Sequence, residues 1–442
     1  MTRILLAADF FHPVLGGAER QVQLLATALQ GRGHDVHVAT IRQPGQAGED
    51  LVDGVAIRRL PALSAHVPGT ADRRFVPPLP DPVLVPALRR LYDELRPEVV
   101  NANGWIAYSC AAALEGNPAP LVLSVRDYGY SCATRSLLWH DRVTCDGPSL
   151  GKCLDCAGRH YGAPRALVAV AGVMTGRPLL RRHVRGIHSV SRFVERIVRR
   201  DLLRDASDSG DAGDAGVVAL PSALHHAPRE GWEPVLERIP DIVPASLAAA
   251  PAPEDAGRLE ALPHEPFILF VGALQPYKGL NVLLAAYELL RAGRVPLAQP
   301  VPPLVVIGVR HPDTPSFPDG ITVIESAPHA VVMAAWGRSL FGVAPSIWPD
   351  PLPGVVREPM TRGRPVVATE VGGNPDMVTS GVNGLLVPAG DARALAEAMA
   401  CLIDDRELRE RLGRNARDSV SEFTPDGVAA RFESFYDRVM AA

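Results

Sequence analysis

The stretch Phe267-Ile268-Leu269-Phe270-Val271-Gly272-Ala273-Leu274-Gln275-Pro276-Tyr277-Lys278-Gly279-Leu280 decides how this chain is divided. Five apolar residues run into a glycine and a polar loop. A segment follows in which Leu280, Leu283, Leu284 and Tyr287 recur at helical spacing, so it reads as strand, glycine loop and helix. The same sentence opens the chain: an apolar run from Arg3 to Ala7, then Gly16-Gly17, then Val22, Leu25, Ala26 and Leu29 on one helical face. A unit written twice in 442 residues implies two domains, because single cores stop growing near ~250–300 residues.

Outward from these two starts, buried-strand patterns recur at Val36-His37-Val38, Val99-Val100 and Leu121-Val122-Leu123 in the first half. In the second half they fall at Leu304 to Ile307, Ile321 to Ile324, Leu340 to Ala344 and Pro365 to Ala368. Helical stretches separate them, and alternating β and α elements imply parallel, doubly wound sheets. The expected class is α/β, with two Rossmann-like domains at residues 1–243 and 264–424. Between them Pro244 to Pro263, rich in Ala, Pro and acids, reads as an exposed linker. Asp205 to Gly216, a run of Asp, Ser, Gly and Ala, reads as a mobile loop.

The formal charge is −4, with 47% hydrophobic and 21% charged residues. That balance supplies two cores and gives no overall attraction to nucleic acid. No apolar run reaches the ~18–20 residues that span a bilayer, and Asp9 interrupts the first apolar run too early for a signal peptide. The cytoplasm is therefore the expected compartment. Only two lysines occur, Lys152 and Lys278, so nearly every cation is an arginine.

Lys278 stands at the start of a helix, where the dipole disfavours an ammonium unless an anion is present. A bound phosphate supplies one; a solvated lysine is the plain alternative. Further on, Asp350 and Glu358 bracket a loop containing Pro353, Gly354 and Val355. Carboxylates accept hydrogen bonds from diols, and loop amides suit a diphosphate. The plain reading of Glu358 is a helix N-cap before Pro359.

Taken together, these residues resemble the retaining glycosyltransferases of family 4, which have the GT-B fold of two facing Rossmann domains. The resemblance rests on Gly16-Gly17-Ala18-Glu19, Gly33-His34-Asp35-Val36, Asp350 followed eight positions on by Glu358, Gly363-Arg-Pro-Val-Val, and Gly372-Gly373. It implies that Lys278 meets the donor phosphates, Glu358 the nucleotide ribose and Asp350 the transferred sugar. Amides around Gly354, Val355, Gly16 and Gly17 then complete the donor site. It also implies a cleft active site, and a final segment, 425–442, that crosses back to the first domain as a helix. The implied donor is a nucleoside-diphosphate sugar, and the implied acceptor is a small molecule or a lipid-linked one. No catalytic metal or cofactor is required. The base is expected near Ala327 to Ala330. Ala273 stands where the family usually has arginine, Asp350 where it has glutamate, and Leu352-Pro353 where it has Phe-Gly.

Arg126-Asp127 falls where the family places histidine-aspartate in the reaction centre. Arginine cannot take up a proton at ordinary pH but can clamp an anion. The alternative is a structural Arg126–Asp127 pair. Cys132, Cys145, Cys153 and Cys156 cluster in one loop-rich stretch and read either as ligands of a structural zinc or as free thiols. From Arg177 to Arg200 eight arginines alternate with apolar residues. That segment reads either as a basic amphipathic surface in weak contact with an anionic membrane or as a solvated helix face. Two other classes compete with the transferase: a nucleotide-sugar epimerase, which needs a further acid–base pair, and a catalytically silent nucleotide-binding partner. A dehydrogenase is excluded, because no Gly-x-Gly-x-x-Gly follows the first strand.

Overall fold

The computed structural model describes residues 1–13, 16–66, 75–140, 142–203, 232–243, 252 and 255–442. It divides into two compact units. The first holds 1–140, 145–242 and 425–442, and the second holds 141–144 and 243–424.

In the first unit eight strands form one sheet: β1 (Arg3–Ala8), β2 (Asp35–Ile41), β3 (Glu49–Val52), β4 (Val55–Leu60), β5 (Val99–Asn103), β6 (Leu121–Val125), β7 (Val184–Ser189) and β8 (Val235–Arg238). Their order is β8-β7-β6-β5-β1-β2-β4-β3. Only the β3–β4 pair is antiparallel. Strand β1 sits inside, with Ile4 opposite both Val36 and Val99. Strand order reverses beside it, which is where open α/β sheets make their ligand crevice.

Helix α1 (Gly17–Gly31) covers one face through the predicted stripe of Val22, Leu25, Ala26 and Leu29. The final helix, α6 (Pro425–Ala441), joins the same core with Val428, Phe432, Phe435, Tyr436 and Val439. Helix α6 is fastened by polar contacts as well. Asn101 Nδ2 donates to Tyr436 Oη at 2.6 Å in the buried core, and Arg32 grips Glu433 through Nε and Nη2 at 2.7 and 2.8 Å.

The second unit has six parallel strands: β9 (Ile268–Val271), β10 (Leu304–Gly308), β11 (Ile321–Glu325), β12 (Phe341–Ala344), β13 (Val366–Thr369) and β14 (Leu385–Val387). Their order is β11-β10-β9-β12-β13-β14. The chain runs outward from β9 to β11, then returns to lay β12 on the other side of β9. The loops after β9 and β12 thus meet at the carboxyl ends of adjacent strands. Helices α3 (Leu280–Arg291), α4 (His329–Arg338) and α5 (Gly354–Thr361) flank this sheet.

One expectation is corrected. Arg177 to Arg200 is not one amphipathic surface: it is a short helix (Arg177–His183), strand β7, helix α2 (Arg192–Val198) and a π-helical turn from Arg199. Strand β7 lies inside the sheet between β6 and β8, with Ile187 and His188 fully buried. Gly186 permits this, since a Cβ there would stand 2.5 Å from Val439 and 2.9 Å from Phe435. In the linker, Ala256, Gly257, Arg258, Glu260 and Ala261 are exposed as expected. Its described part carries a short helix, Ala256–Glu260, and Leu262 is buried against Phe267 and Trp336. Asp205 to Gly216 lies outside the described residues.

Candidate functional site

At the carboxyl end of β9, Pro276–Lys278 form one 3-10 turn and Gly279 turns the chain into α3 at φ +77°. Only glycine fits, because a Cβ would stand 1.8 Å from the Pro345 carbonyl oxygen. The loop after β12 is bound to this turn: the Ile347 and Trp348 amides donate to the Tyr277 carbonyl at 3.0 and 3.1 Å. That contact brings Lys278 to Asp350, 72 positions away, with Nζ donating to Oδ2 at 2.6 Å. The ammonium also lies 4.3 Å from the Trp348 ring centre, a cation–π contact. Lys278 is thus neither solvated nor awaiting an anion alone, because Asp350 already balances it.

The Gly372-Gly373 pair holds the acid in place. Gly373 N donates to the Asp350 carbonyl at 2.8 Å. Gly372 takes φ +56°, and a Cβ there would lie 2.2 Å from the same oxygen. These glycines serve close backbone packing behind Asp350.

Glu358 is not an N-cap, since α5 begins four residues earlier at Gly354. The amides of Gly354 and Val355, first in the helix, have no partner within it. The Glu358 carboxylate receives His329 Nε2 at 3.0 Å and Trp336 Nε1 at 3.2 Å, both from α4. Burial acts to raise its pKa, but these hydrogen bonds, with the nearby Arg357 charge, hold it below the usual carboxylate range. Burial pushes the Arg357 guanidinium down to about 10, against the charges of Glu358 and Asp350. The buried cation Arg357 beside the two acids is absent from the sequence reading, as is Trp336; His329 falls in the Ala327 to Ala330 stretch expected near the base, but not as a partner of Glu358. Residues 329 and 336 are seven apart and share a helix face, which was a readable signal; their target was not.

The first unit gathers a second group at the carboxyl ends of β1, β5 and β6. Gly16 caps α1, and its amide donates to Glu19 Oε2 at 2.8 Å, so the helix start is answered by its own acid. Gly17, first in the helix, has open space beside it. Asp9 accepts from the Trp105 and Ile106 amides at 3.1 and 2.6 Å and from Arg135 at 3.0 Å. Burial raises its pKa despite the opposing charge of Arg135.

Arg126 and Asp127 each have a charged partner elsewhere. Arg126 pairs with Asp241 and also donates to Asn103 at 3.3 Å, while Asp127 is held by Arg135 at 2.6 Å. Arg126 is therefore charge-balanced by a residue 115 positions on, a partner that no local pattern reveals. Arg126, Asp127, Arg135, Asp9, Asn103 and Ser124 line one small pocket.

The zinc reading is corrected too. All six cysteines are free thiols, and among the described residues no three His, Cys, Asp or Glu side chains gather as metal ligands. Instead, three of the four clustered thiols satisfy local partners. Cys132 meets Thr134 Oγ1 at 3.2 Å, Cys145 donates to the Gly147 carbonyl at 3.3 Å, and Cys156 donates to the Leu138 carbonyl at 3.5 Å. Burial pushes the Cys153 thiol up. Among the described residues no helix is long and apolar enough to cross a membrane.

Comparison with known proteins gives two family matches: the glycosyl transferases group 1 profile over residues 253–419 and the glycosyl transferase 4-like domain over residues 16–208. A D-inositol 3-phosphate glycosyltransferase of Corynebacterium glutamicum (strain R) is 31% identical over 192 residues, which is 40% of this chain and 44% of that protein. An alpha-D-kanosaminyltransferase of Streptomyces kanamyceticus is 32% identical over 163 residues, 35% of this chain and 41% of that one. The chain spans less than half the length of these curated relatives. Among solved structures, a sucrose-phosphate synthase from Thermosynechococcus elongatus superposes with TM-score 0.64 at 20% identity, covering 99% of each chain. Anabaena HepE in complex with UDP gives 0.61 at 16% identity, covering 99% of this chain and 100% of that one. Gly16, Gly17 and Glu19 in the first unit and Lys278, Asp350 and Glu358 in the second follow the carboxyl ends of strands, where open α/β sheets make their ligand crevice, and the chain belongs to the group 1 glycosyltransferases, family 4, with the GT-B fold.

Proposed function

We propose that the chain transfers a sugar from a nucleoside-diphosphate donor to a small-molecule or lipid-linked acceptor, with retention at the anomeric carbon. The observation that carries this is the meeting of Lys278, Asp350, Glu358 and the first turn of α5 where strand order reverses in the second sheet. Glu358, kept ionised by His329 and Trp336, is suited to accept both hydroxyls of a ribose diol. The Gly354 and Val355 amides at the positive end of α5 suit the diphosphate. Lys278 stabilises the charge that develops as the diphosphate leaves, and Asp350 turns from Lys278 to orient the sugar. The departing phosphate oxygen takes the acceptor's proton. In the first unit, Gly16, Gly17, Arg126 and Asp127 are assigned to the sugar and acceptor. With Arg126 neutralised by Asp241, the pocket there favours a hydroxylic group over an unaccompanied anion.

The test is calorimetric and thermal titration of the full chain with UDP, GDP, ADP and dTDP. HepE was solved with UDP, which makes UDP the first probe. At 100 times its dissociation constant a matching nucleotide stabilises by ~2.7 kcal/mol. Glu358→Gln and Lys278→Ala should each weaken binding at least about tenfold, the loss expected for one charge-assisted contact. Stabilisation by none of the four nucleotides would overturn the reading.

A further inference from the structure

Arg135 lies outside every motif that carries the family resemblance, yet its side chain joins three strand ends of the first sheet. Nε and Nη2 both donate to Asp127 Oδ2, at 2.8 and 2.6 Å, and Nη1 donates to Asp9 Oδ2 at 3.0 Å. The guanidinium carbon stands 5.2 Å from the Trp105 ring centre, within the reach of a cation–π contact. Asp9 directly follows β1, Trp105 lies two residues past β5 and Asp127 two past β6. Arg135 holds this place in a left-handed backbone conformation, φ +64°, which residues other than glycine keep only where surrounding contacts over-determine it. Gly129 leaves the room. A Cβ there would stand 2.9 Å from Trp105 Nε1, 3.0 Å from Asp127 Oδ1 and 3.4 Å from Arg135 Cγ.

The hydrogen bonds give the two acids different tasks. Asp9 is 5% exposed and both its oxygens are engaged, Oδ1 by the Ile106 amide and Oδ2 by the Trp105 amide and Arg135. It anchors Arg135. The Asp127 side chain is 33% exposed and lines the pocket that also holds Arg126. Arg135 fills its Oδ2 with two hydrogen bonds, whereas Oδ1 accepts one, from the Gly129 amide at 2.8 Å. An ionised carboxylate oxygen has two lone pairs, so Oδ1 keeps the capacity for one more donor. We infer that Arg135 is a positioning residue for sugar transfer: anchored on Asp9 and Trp105, it orients Asp127 so that Oδ1 accepts a hydrogen bond from an acceptor hydroxyl. The inference rests on the transferase reading, which assigns Asp127 to the acceptor. A lysine cannot replace Arg135, because one ammonium on a flexible stem lacks the planar fork that spans both acids.

Water is the simplest hydroxylic acceptor, so donor hydrolysis by the full chain tests the site. The probes are the sugar esters of whichever of UDP, GDP, ADP and dTDP binds, and the readout is nucleoside diphosphate released. Arg135→Met should lower kcat about tenfold or more, the scale on which a displaced reacting group loses rate, and leave donor KM and nucleotide affinity within about twofold. Asp127→Asn should lower kcat similarly, and joining the two changes should add little, since residues that act through one contact are not additive. A purely structural arginine would instead give losses that multiply. Arg135→Lys, which keeps a charge beside both acids, should hold the fold and still lose kcat; it carries the comparison if far-UV circular dichroism shows Arg135→Met to be unfolded. Multiplied losses, a kcat within about twofold of the parent chain's, or a raised donor KM at unchanged kcat overturns the inference. Nucleotide binding and turnover by the parent chain then leave the transferase reading standing. Binding of no nucleotide, or binding without turnover, overturns that reading and this inference with it.

Discussion

With its side chain 19% exposed, Glu358 would favour the neutral form were it not hydrogen-bonded. His329 and Trp336 donate to it from one face of α4, so its folded pKa lies below the ordinary value. The sign of the pH effect follows. A carboxyl with a depressed folded pKa contributes stability in full above its unfolded value, near ~4.3, and loses it as pH falls through the folded value. Glu358→Gln should therefore lower stability by ~1–3 kcal/mol at neutral pH, with the gap to the parent chain closing in acid. Urea unfolding of both proteins across that range measures it, and a gap independent of pH would show that the charge is not what stabilises the site. At this scale the acids were legible in the sequence as spaced carboxylates. Their partners were not, because Arg126–Asp241 and Lys278–Asp350 are contacts that only the fold creates.

The element that sets the donor-side geometry is the turn from β9 into α3. Gly279 there combines a left-handed φ of +77° with the Pro345 carbonyl 1.8 Å from any Cβ, whereas Gly293 at the far end of α3 has φ +65° and open space. The pair separates conformational strain from steric exclusion. Gly293→Ala should cost ~1–2 kcal/mol, the penalty of left-handed backbone alone, and leave nucleotide affinity unchanged. Gly279→Ala should cost more and also weaken nucleotide binding, because pushing Pro345 away carries Tyr277, Trp348 and Asp350 with it. Thermal unfolding and nucleotide titration of both variants check this; equal costs with equal affinities would refute the close-packing argument. The strands of the second unit were readable because each is a short apolar run bounded by Gly, Pro or polar residues. Strand β7 was not, because Arg185 and His188 interrupt it and the arginines around it imitate a helical stripe. His188 fits inside the sheet by bonding Ser124 Oγ at 3.0 Å and the Ile239 carbonyl at 2.7 Å, and no pattern of hydrophobicity encodes that.

At the scale of the whole molecule, the duplicated strand–glycine–helix sentence yields two units with separate cores, and the last seventeen residues of helix belong to the first of them. Helix α6 follows some 180 residues of the second unit, yet its apolar face meets α1 and β7, and Phe435 is fully buried near Gly186. No local signal in 425–442 names that partner; only the family resemblance did. The arrangement makes the stability of the first core depend on the end of the chain. Phe435→Ala should remove ~3–5 kcal/mol from that core. Because native proteins carry only ~5–15 kcal/mol in all, amide exchange in β1, β5, β6 and β7 should accelerate by two orders of magnitude or more. Strands β9, β10 and β12, whose side chains pack in a different core, should exchange as in the parent chain, and nucleotide titration should be unchanged. Hydrogen exchange read peptide by peptide tests this directly. Acceleration spread equally over both sheets would mean that the two cores unfold as one cooperative unit, and then the duplicated pattern would mark duplicated structure without independent stability.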